Sequence, residues 1–395
     1  MLKKLNKLRK FFDSHLKIHS LKQLTAVFLT SFSRMLTSLL LGTSMAIFLG
    51  RNSTPFAVSM AMAAYFLGML LFAPVWGAIS DVLGKRKLIL VLSGFLSTLV
   101  LSTLIFNRGV IISILVRGLY GAAVTGFTPI MLALMSESGG EEGRGKAIGF
   151  FNSSRASGFA VGRFSAGFLV GFLAPRIVYS IVILVSLVST ISVFLIEDQK
   201  KARERKTSWD EIKEDLKERI LIFKSEAVQL KKGGLNWLYM AVALRHMTVK
   251  GIGSLLPVYI TLRLSISEPL MGVLLTINPV FQVICMQLSG WLVDYFGRRP
   301  LMIAGTVGSG LFALTASLAS FTPNMALRIF LVGLSNAIVA AAFSTLTTGA
   351  STFIGDVSSL DTQSQLHGLR SMCVGLGGVM GPILIGSLTS ASSYR

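Results

Sequence analysis

The sequence predicts an all-α membrane protein made of two pseudo-symmetric six-helix halves, with eleven of the twelve helices present. Three observations predict this. Hydrophobic residues make up 52% of the 395 residues and charged residues 14%, with a mean hydropathy of +0.68. No water-soluble domain could cover that much apolar surface. Apolar runs near the ~20 residues that cross a bilayer follow one another along the whole chain. Finally, the charged turn Gly-Ala-Ile-Ser-Asp-Val-Leu-Gly-Lys-Arg-Lys at 77–87 returns as Gly-Trp-Leu-Val-Asp-Tyr-Phe-Gly-Arg-Arg at 290–299. A constant offset of 213 separates Gly77 from Gly290, Asp81 from Asp294 and Gly84 from Gly297. Two helices joined by a tight charged turn have thus been made twice.

Residues 1–22 set Leu2, Leu5, Leu8, Phe12 and Leu16 among lysines. They lack the unbroken apolar core of a signal peptide, so a basic amphipathic helix on the membrane surface is expected. Spans one to six are expected at about 23–50, 55–80, 88–106, 110–135, 149–173 and 175–196, and together they form a bundle over 23–196. Composition turns charged and soluble over 197–234, a linker. Inside it Ser208 and Glu211 form a capping box ahead of Ile212, Leu216, Ile220 and Phe223 at helical spacing, so an amphipathic helix is expected there. The second bundle, 235–395, has spans seven to eleven at about 236–262, 270–293, 300–321, 325–354 and 368–387.

The formal charge of +20, from 38 Lys and Arg against 18 Asp and Glu, does not indicate nucleic acid here. The basic residues crowd the N-terminus, the 81–87 turn, the linker and the 298–299 pair, while alternate turns carry few. The positive-inside rule then places the N-terminus and linker in the cytoplasm. Cys285 and Cys373 lie in apolar runs and read as small packing residues. Four scattered histidines offer no metal site, and no Walker loop, nucleophile elbow or paired carboxylate supports ATP hydrolysis or any enzymatic chemistry. No cofactor is expected.

The repeated Gly-x-x-x-Asp-x-x-Gly-[Lys/Arg]-[Lys/Arg] resembles the signature of the major facilitator superfamily of secondary transporters between helices two and three and between eight and nine. Arg117-Gly-Leu-Tyr-Gly121 is similar to that family's Arg-x-x-x-Gly motif in helix four. Gly158, Gly162 and Gly167 in span five resemble the antiporter motif of its drug–proton exporters, with Arg163 standing where exporters have proline. Their mates Gly377, Gly381 and Gly386 lie 219 positions on in span eleven, and the proline is kept there as Pro382. The resemblance implies that Asp81 and Asp294 hold the positive N-termini of helices in the opposite half, a latch that stabilises the outward-open state. Lys85, Arg86, Arg298 and Arg299 would anchor at phosphates or pair with Glu137 and Asp356. The glycine series let helices approach closely.

Ionisable residues inside spans are functional candidates because placing them there costs about 2.5–3.5 kcal/mol on insertion scales. All of them here are basic. Arg34 in span one and Arg245 in span seven are 211 apart, as are Arg117 in span four and Arg328 in span ten. By the resemblance these four spans line the central cavity. His246 and Lys250 add to span seven, and Arg155 and Arg163 to span five, with Lys250 the leading candidate for a substrate contact. Tyr120, Tyr239, Tyr259 and Met247 could line a pocket or simply pack. Every carboxylate sits in a loop or at a helix end.

The expected function is a secondary active transporter of the cytoplasmic membrane that moves a small solute by alternating access. Efflux of drug-like or hydrophobic compounds is one reading. The arginines leave open an organic or phosphorylated anion. Partners expected are the bilayer, a small-molecule substrate and a coupled proton or counter-solute, with the chain a monomer. The 219 offset pairs Arg176, at the start of span six, with Arg395, so a twelfth helix is expected to be missing. A truncated, non-transporting membrane protein is then a reading of another class.

Overall fold

The computed structural model describes residues 21–83, 86–106, 109–138, 140–196, 234–357 and 360–392. The amphipathic helices expected over 1–22 and within 197–234 fall outside the described residues, apart from Leu21, Lys22 and Gly234. Among the described residues twelve α-helices build the eleven spans: α1 (Leu21–Asn52), α2 (Pro55–Leu83), α3 (Arg86–Ser102), α4 (Val110–Val124), α5 (Phe127–Ser138), α6 (Gly140–Phe172), α7 (Pro175–Ser192), α8 (Leu235–Val258), α9 (Glu268–Phe296), α10 (Arg298–Phe321), α11 (Met325–Val357) and α12 (Leu360–Ala391). Prolines open α2 and α7, where a missing amide hydrogen costs nothing. Gly297, at φ 84° and ψ 171°, turns α9 into α10 in a conformation only glycine adopts without strain.

Span four is two helices rather than one, and the cause lies in its neighbours. The Ala122 and Ala123 carbonyls would accept the amide hydrogens of residues 126 and 127 in a continuous helix. Trp76 Nε1 donates to the first at 2.7 Å and Ser93 Oγ to the second at 2.7 Å. A methyl group on Gly126 would lie 2.8 Å from the Trp76 ring, so only glycine fits the break. Span seven also ends irregularly. Pro257 interrupts the amide ladder, a π-turn runs over Tyr259–Arg263, and Ser265 takes φ 58°. Arg328 fastens this loop by donating from Nη1 to the Leu264 carbonyl at 3.3 Å and from Nε to that of Thr322 at 2.7 Å.

Nine spans are long and apolar enough to cross a membrane among the described residues; α6, which carries Arg155 and Arg163, and α8, which carries Arg245 and Lys250, are not among them. Both are held by their neighbours instead. In the first bundle α1 packs on α6 and α7, α2 on α4, and α3 on α7; in the second, α8 packs on α12, α9 on α11, and α10 on α11. Two seams, α2 with α12 and α6 with α9, join the bundles. One end of the molecule carries Lys87, Arg298 and Arg299 and is called the basic end; the turns at 53–54, 173–174, 264–267 and 322–324 mark the far end.

Within each bundle the glycine series of spans five and eleven fits onto a span that opens its own half. A methyl on Gly158 would strike the Phe32 carbonyl and one on Gly162 would lie 3.0 Å from that of Leu36, both on α1. On the mate helix, a methyl on Gly377 would sit 2.6 Å from the Ala243 carbonyl, and one on Gly381 would strike that of Met247, both on α8. Backbone meets backbone at these points, and nothing nearby can yield. Gly381→Ala and Gly158→Ala are therefore expected to destabilise the protein by about 1–3 kcal/mol each through overpacking. Gly253→Ala, with open space around it, should be neutral or stabilising by about 0.5–1 kcal/mol. Thermal unfolding of the purified protein in detergent measures this, and equal shifts at all three positions would contradict the packing described.

Candidate functional site

The two seams between the bundles are where a solute path can open. Along α2 and α12, the Phe56 amide donates to Ser390 Oγ at 3.1 Å, Ser59 lies against Gly386, and Phe66 lies against Gly378. Leu70 against Gly375 ends this run. Along α6 and α9, Gly167 meets the Glu268 carbonyl and Gly272, Arg163 Nη1 donates to the Leu275 carbonyl at 3.0 Å, and Thr276 Oγ1 donates to the Ala160 carbonyl at 3.4 Å. So Gly167 and Gly386, the third members of the two glycine series, lie on the seams, while the first two members pack within their bundles. Arg51 and Glu268 form an ion pair at 2.5 Å across the far end. Ser59 and Ser254 hydroxyls meet at 3.3 Å. All these contacts lie in the far half of the molecule. Toward the basic end Ser153 and Ser157 on α6, Phe72 on α2 and Ser371 on α12 are exposed.

The four paired arginines occupy three kinds of place. Arg34 lies inside the first bundle rather than between the bundles, and its side chain is 0% exposed. Its Nη1 donates to Ser97 Oγ on α3 at 2.6 Å, and its guanidinium stands 5.4 Å from the Phe127 ring of α5. Arg245 repeats this arrangement in the second bundle, with Nε donating to Ser309 Oγ on α10 at 3.1 Å and the guanidinium 5.2 Å from the Phe343 ring of α11. Each is a clasp that ties the opening span of its bundle to two others through a hydrogen bond and a cation–π contact. Arg117 lies between α4, α2 and α1. It covers the Tyr65 ring at 4.5 Å, donates from Nη2 to the Met62 sulfur at 3.6 Å, and lies beside Gly42. Its Nε and Nη1 are buried with no hydrogen-bond partner among the described residues, as are Nε and Nη2 of Arg34. Arg328 is the loop fastener described above.

His246 accepts from Arg245 Nη1 at Nε2, 3.2 Å, which leaves Nδ1 to donate to the Val242 carbonyl at 2.8 Å. Lys250 reaches across from α8 to α2, with its ammonium 5.2 Å from the Phe66 ring. Among the described residues it has no hydrogen bond or ion pair. Tyr239 and Tyr259 donate to the Leu366 and Ala316 carbonyls at 2.9 Å each, and Tyr120 meets Ser38 at 2.8 Å.

At the basic end, Arg298 pairs with Asp356 at 2.7 Å. Asp294 is exposed and has no hydrogen bond or ion pair among the described residues, and a methyl on Gly290 would meet open space. Arg299 is exposed and Arg86 opens α3. Gly77 and Asp81 end α2 and Glu137 ends α5; nothing of these side chains belongs to the described residues, nor do Gly84 and Lys85 at all. Sequence reading missed the Arg51–Glu268 pair, the serines and rings that receive Arg34 and Arg245, and Lys87, which donates to the Phe194 and Ile196 carbonyls at 2.8 and 2.7 Å. A signal for the serines existed, since Ser97 and Ser309 stand 212 apart beside arginines 211 apart.

Comparison with known proteins agrees with this architecture. The Major Facilitator Superfamily model matches residues 24–263 and 238–395. The multidrug resistance efflux pump PmrA of Streptococcus pneumoniae is 24% identical over 353 residues, which is 88% of this chain and 82% of the pump. Multidrug resistance protein 2 of Bacillus subtilis is 24% identical over 338 residues, 83% of this chain and 78% of that protein. Among solved structures, an inward-facing, unoccupied bacterial homologue of the human lysosomal transporter Spinster superposes with a TM-score of 0.74 at 15% identity, over 93% of this chain and 82% of that one. The fold, the repeated turn and the family match together show that this chain belongs to the Major Facilitator Superfamily and is a multi-pass membrane transporter.

Proposed function

We propose that the chain is an efflux permease for drug-like, hydrophobic compounds. The observation that supports this best is likeness along most of its length to two multidrug resistance proteins. The seams agree with it. They are packed from apolar side chains such as Phe66 and Leu70, which meet glycine backbone here and would become apolar walls of a path wherever the seam parts. The anion reading has less support, because Arg245 and Arg328 donate to a serine, a histidine and carbonyls within the protein, and Arg34, which donates to Ser97, is buried inside the first bundle and away from the seams.

With the basic end in the cytoplasm, as the positive-inside rule directs, the far-end contacts close the outer side and the path opens inward. The membrane is the cytoplasmic one and the chain acts as a monomer. Asp294, exposed here, is then a latch not yet engaged; it engages when the bundles rock and the basic ends meet. Coupling draws on a proton or counter-solute gradient, since nothing in the chain uses ATP. Arg163 holds α6 to α9 from the position where exporters have proline, and the Arg51–Glu268 pair adds a contact worth about 0–1 kcal/mol at its exposure.

Cells lacking their own pumps and expressing the chain should extrude ethidium, and a protonophore should abolish this. Absence of efflux in cells that hold folded protein in the membrane would overturn the proposal. Arg163→Ala removes a charge-assisted hydrogen bond worth about 1.5–3 kcal/mol. It is expected to loosen the inward-facing state and change the rate of efflux without lowering the amount of protein. Unchanged kinetics would show that this bond does not hold the seam.

A further inference from the structure

Lys250 stands where the far-end closure stops. Phe66 of α2 meets both the Lys250 ammonium, at 5.2 Å, and the bare backbone of Gly378 on α12. One helical turn toward the far end, the Ser59 and Ser254 hydroxyls meet across the same two helices, α2 and α8, at 3.3 Å, and both residues are buried. Lys250 itself is partly exposed. Its amine is thus shut off from the far side and open toward the basic side, as a group must be that trades with one face of the membrane at a time.

The ionisable groups around it are cations or are already engaged. Arg245 and His246 share α8 with Lys250, and Arg163 stands within electrostatic reach from α6. α12 faces α8 at this level with Gly377 and Gly381; its Arg370, seven residues earlier, acts on Arg245 and His246, and its Cys373 packs into the cluster of Tyr239 and Val242. On α2, Tyr65 is covered by the Arg117 guanidinium. Of the other spans against α8, α1 holds Arg34 inside the first bundle and Arg51 at the far end, and α10 has no ionisable residue beyond Arg298 and Arg299 at its start. No carboxylate faces the amine among the described residues. Carrying a proton through the molecule takes a side chain that changes charge on the path, and a guanidinium does not. His246 has both ring nitrogens engaged, and a proton on Nε2 would set it donor to donor against Arg245. Lys250 has no polar partner among the described residues, and an amine gives up and regains its proton as its surroundings change.

From this arrangement we infer that Lys250, an amine rather than an acid, carries the proton that drives efflux. The inference rests on the efflux reading and names its coupling group. With the far end open, the amine nitrogen takes a proton from water on the outer side. The ammonium so formed has no anion to pair with and draws water to the seam at Phe66. An apolar compound excludes that water, so proton and substrate cannot hold the seam together. With the basic end open, as here, the proton passes to cytoplasmic water, the neutral amine lets the seam dry, and the substrate settles against Phe66 for export.

The test uses the full chain in proteoliposomes, with ethidium as the probe because its charge does not change with pH across the range used. Exchange of ethidium between the two sides, with no pH gradient, should slow in the unaltered protein as the pH falls and the amine is protonated. Lys250→Met, which cannot take the proton, should exchange at one rate at every pH. Lys250→Arg, which cannot release it, should exchange slowly at every pH. Under an imposed pH gradient the unaltered protein should accumulate ethidium on the acidic side, and both variants should fall to the level of vesicles without protein. Gradient-driven accumulation by Lys250→Met, a pH dependence of exchange that survives in it, or loss of exchange at every pH in folded Lys250→Met would each overturn the inference and leave the efflux reading standing. Exchange by the unaltered protein that ignores a pH gradient would do the same. Failure of the unaltered protein to exchange ethidium at any pH would overturn the efflux reading, and the inference with it.

Discussion

The structure depends on backbone-to-backbone approach at glycine. Lipid tails are as apolar as the helices, so burial of apolar surface does not drive one span against another. What remains is contact area, and it is greatest where no side chain intervenes. Gly158 and Gly162 of α6 against α1, and Gly377 and Gly381 of α12 against α8, fix the inside of each bundle, while Gly167 and Gly386 set the distance between bundles. A series that packs firmly within a bundle and ends on a seam makes each bundle one body and leaves the seam as the surface that can part.

The buried cations follow from the same solvent. A guanidinium in hydrocarbon must find protein partners, and Arg34 and Arg245 find the same set of them, a serine on one span and an aromatic ring on another. They act as clasps within bundles. Besides the exposed Arg51, Lys250 and Arg163 cross from one bundle to the other, and Lys250 does so with no polar partner among the described residues. Along the seams the one carboxylate among the described residues, Glu268, is paired with Arg51 at the far end, and the other carboxylates of the described spans, such as Asp294 and Asp356, stay at helix ends.

Much of this was legible in the sequence. Offsets of 211, 213 and 219 gave the duplication, the span order and the paired glycines, because helix spacing and turn chemistry are local properties. The break in span four was not legible, since it is made by Trp76 and Ser93 from two other spans. The position of Arg34 was not legible either. A period of 3.6 places a residue on a helix face but does not say whether that face turns to the cavity or to the bundle interior, and Ser97 decides it from 63 residues away. The Arg51–Glu268 pair joins residues 217 apart and carries no local signal.

The central claim is that the bundles move as two bodies about these seams. Double electron–electron resonance in nanodiscs tests it, with one pair of spin labels at Thr54 and Ser387 near the far end and another at Ala73 and Ser371 near the basic end. The account predicts two populations whose distances change in opposite senses, far end short with basic end long, and the reverse. Distances that shorten or lengthen together at both ends, or a single unchanging population under a proton gradient and substrate, would contradict it.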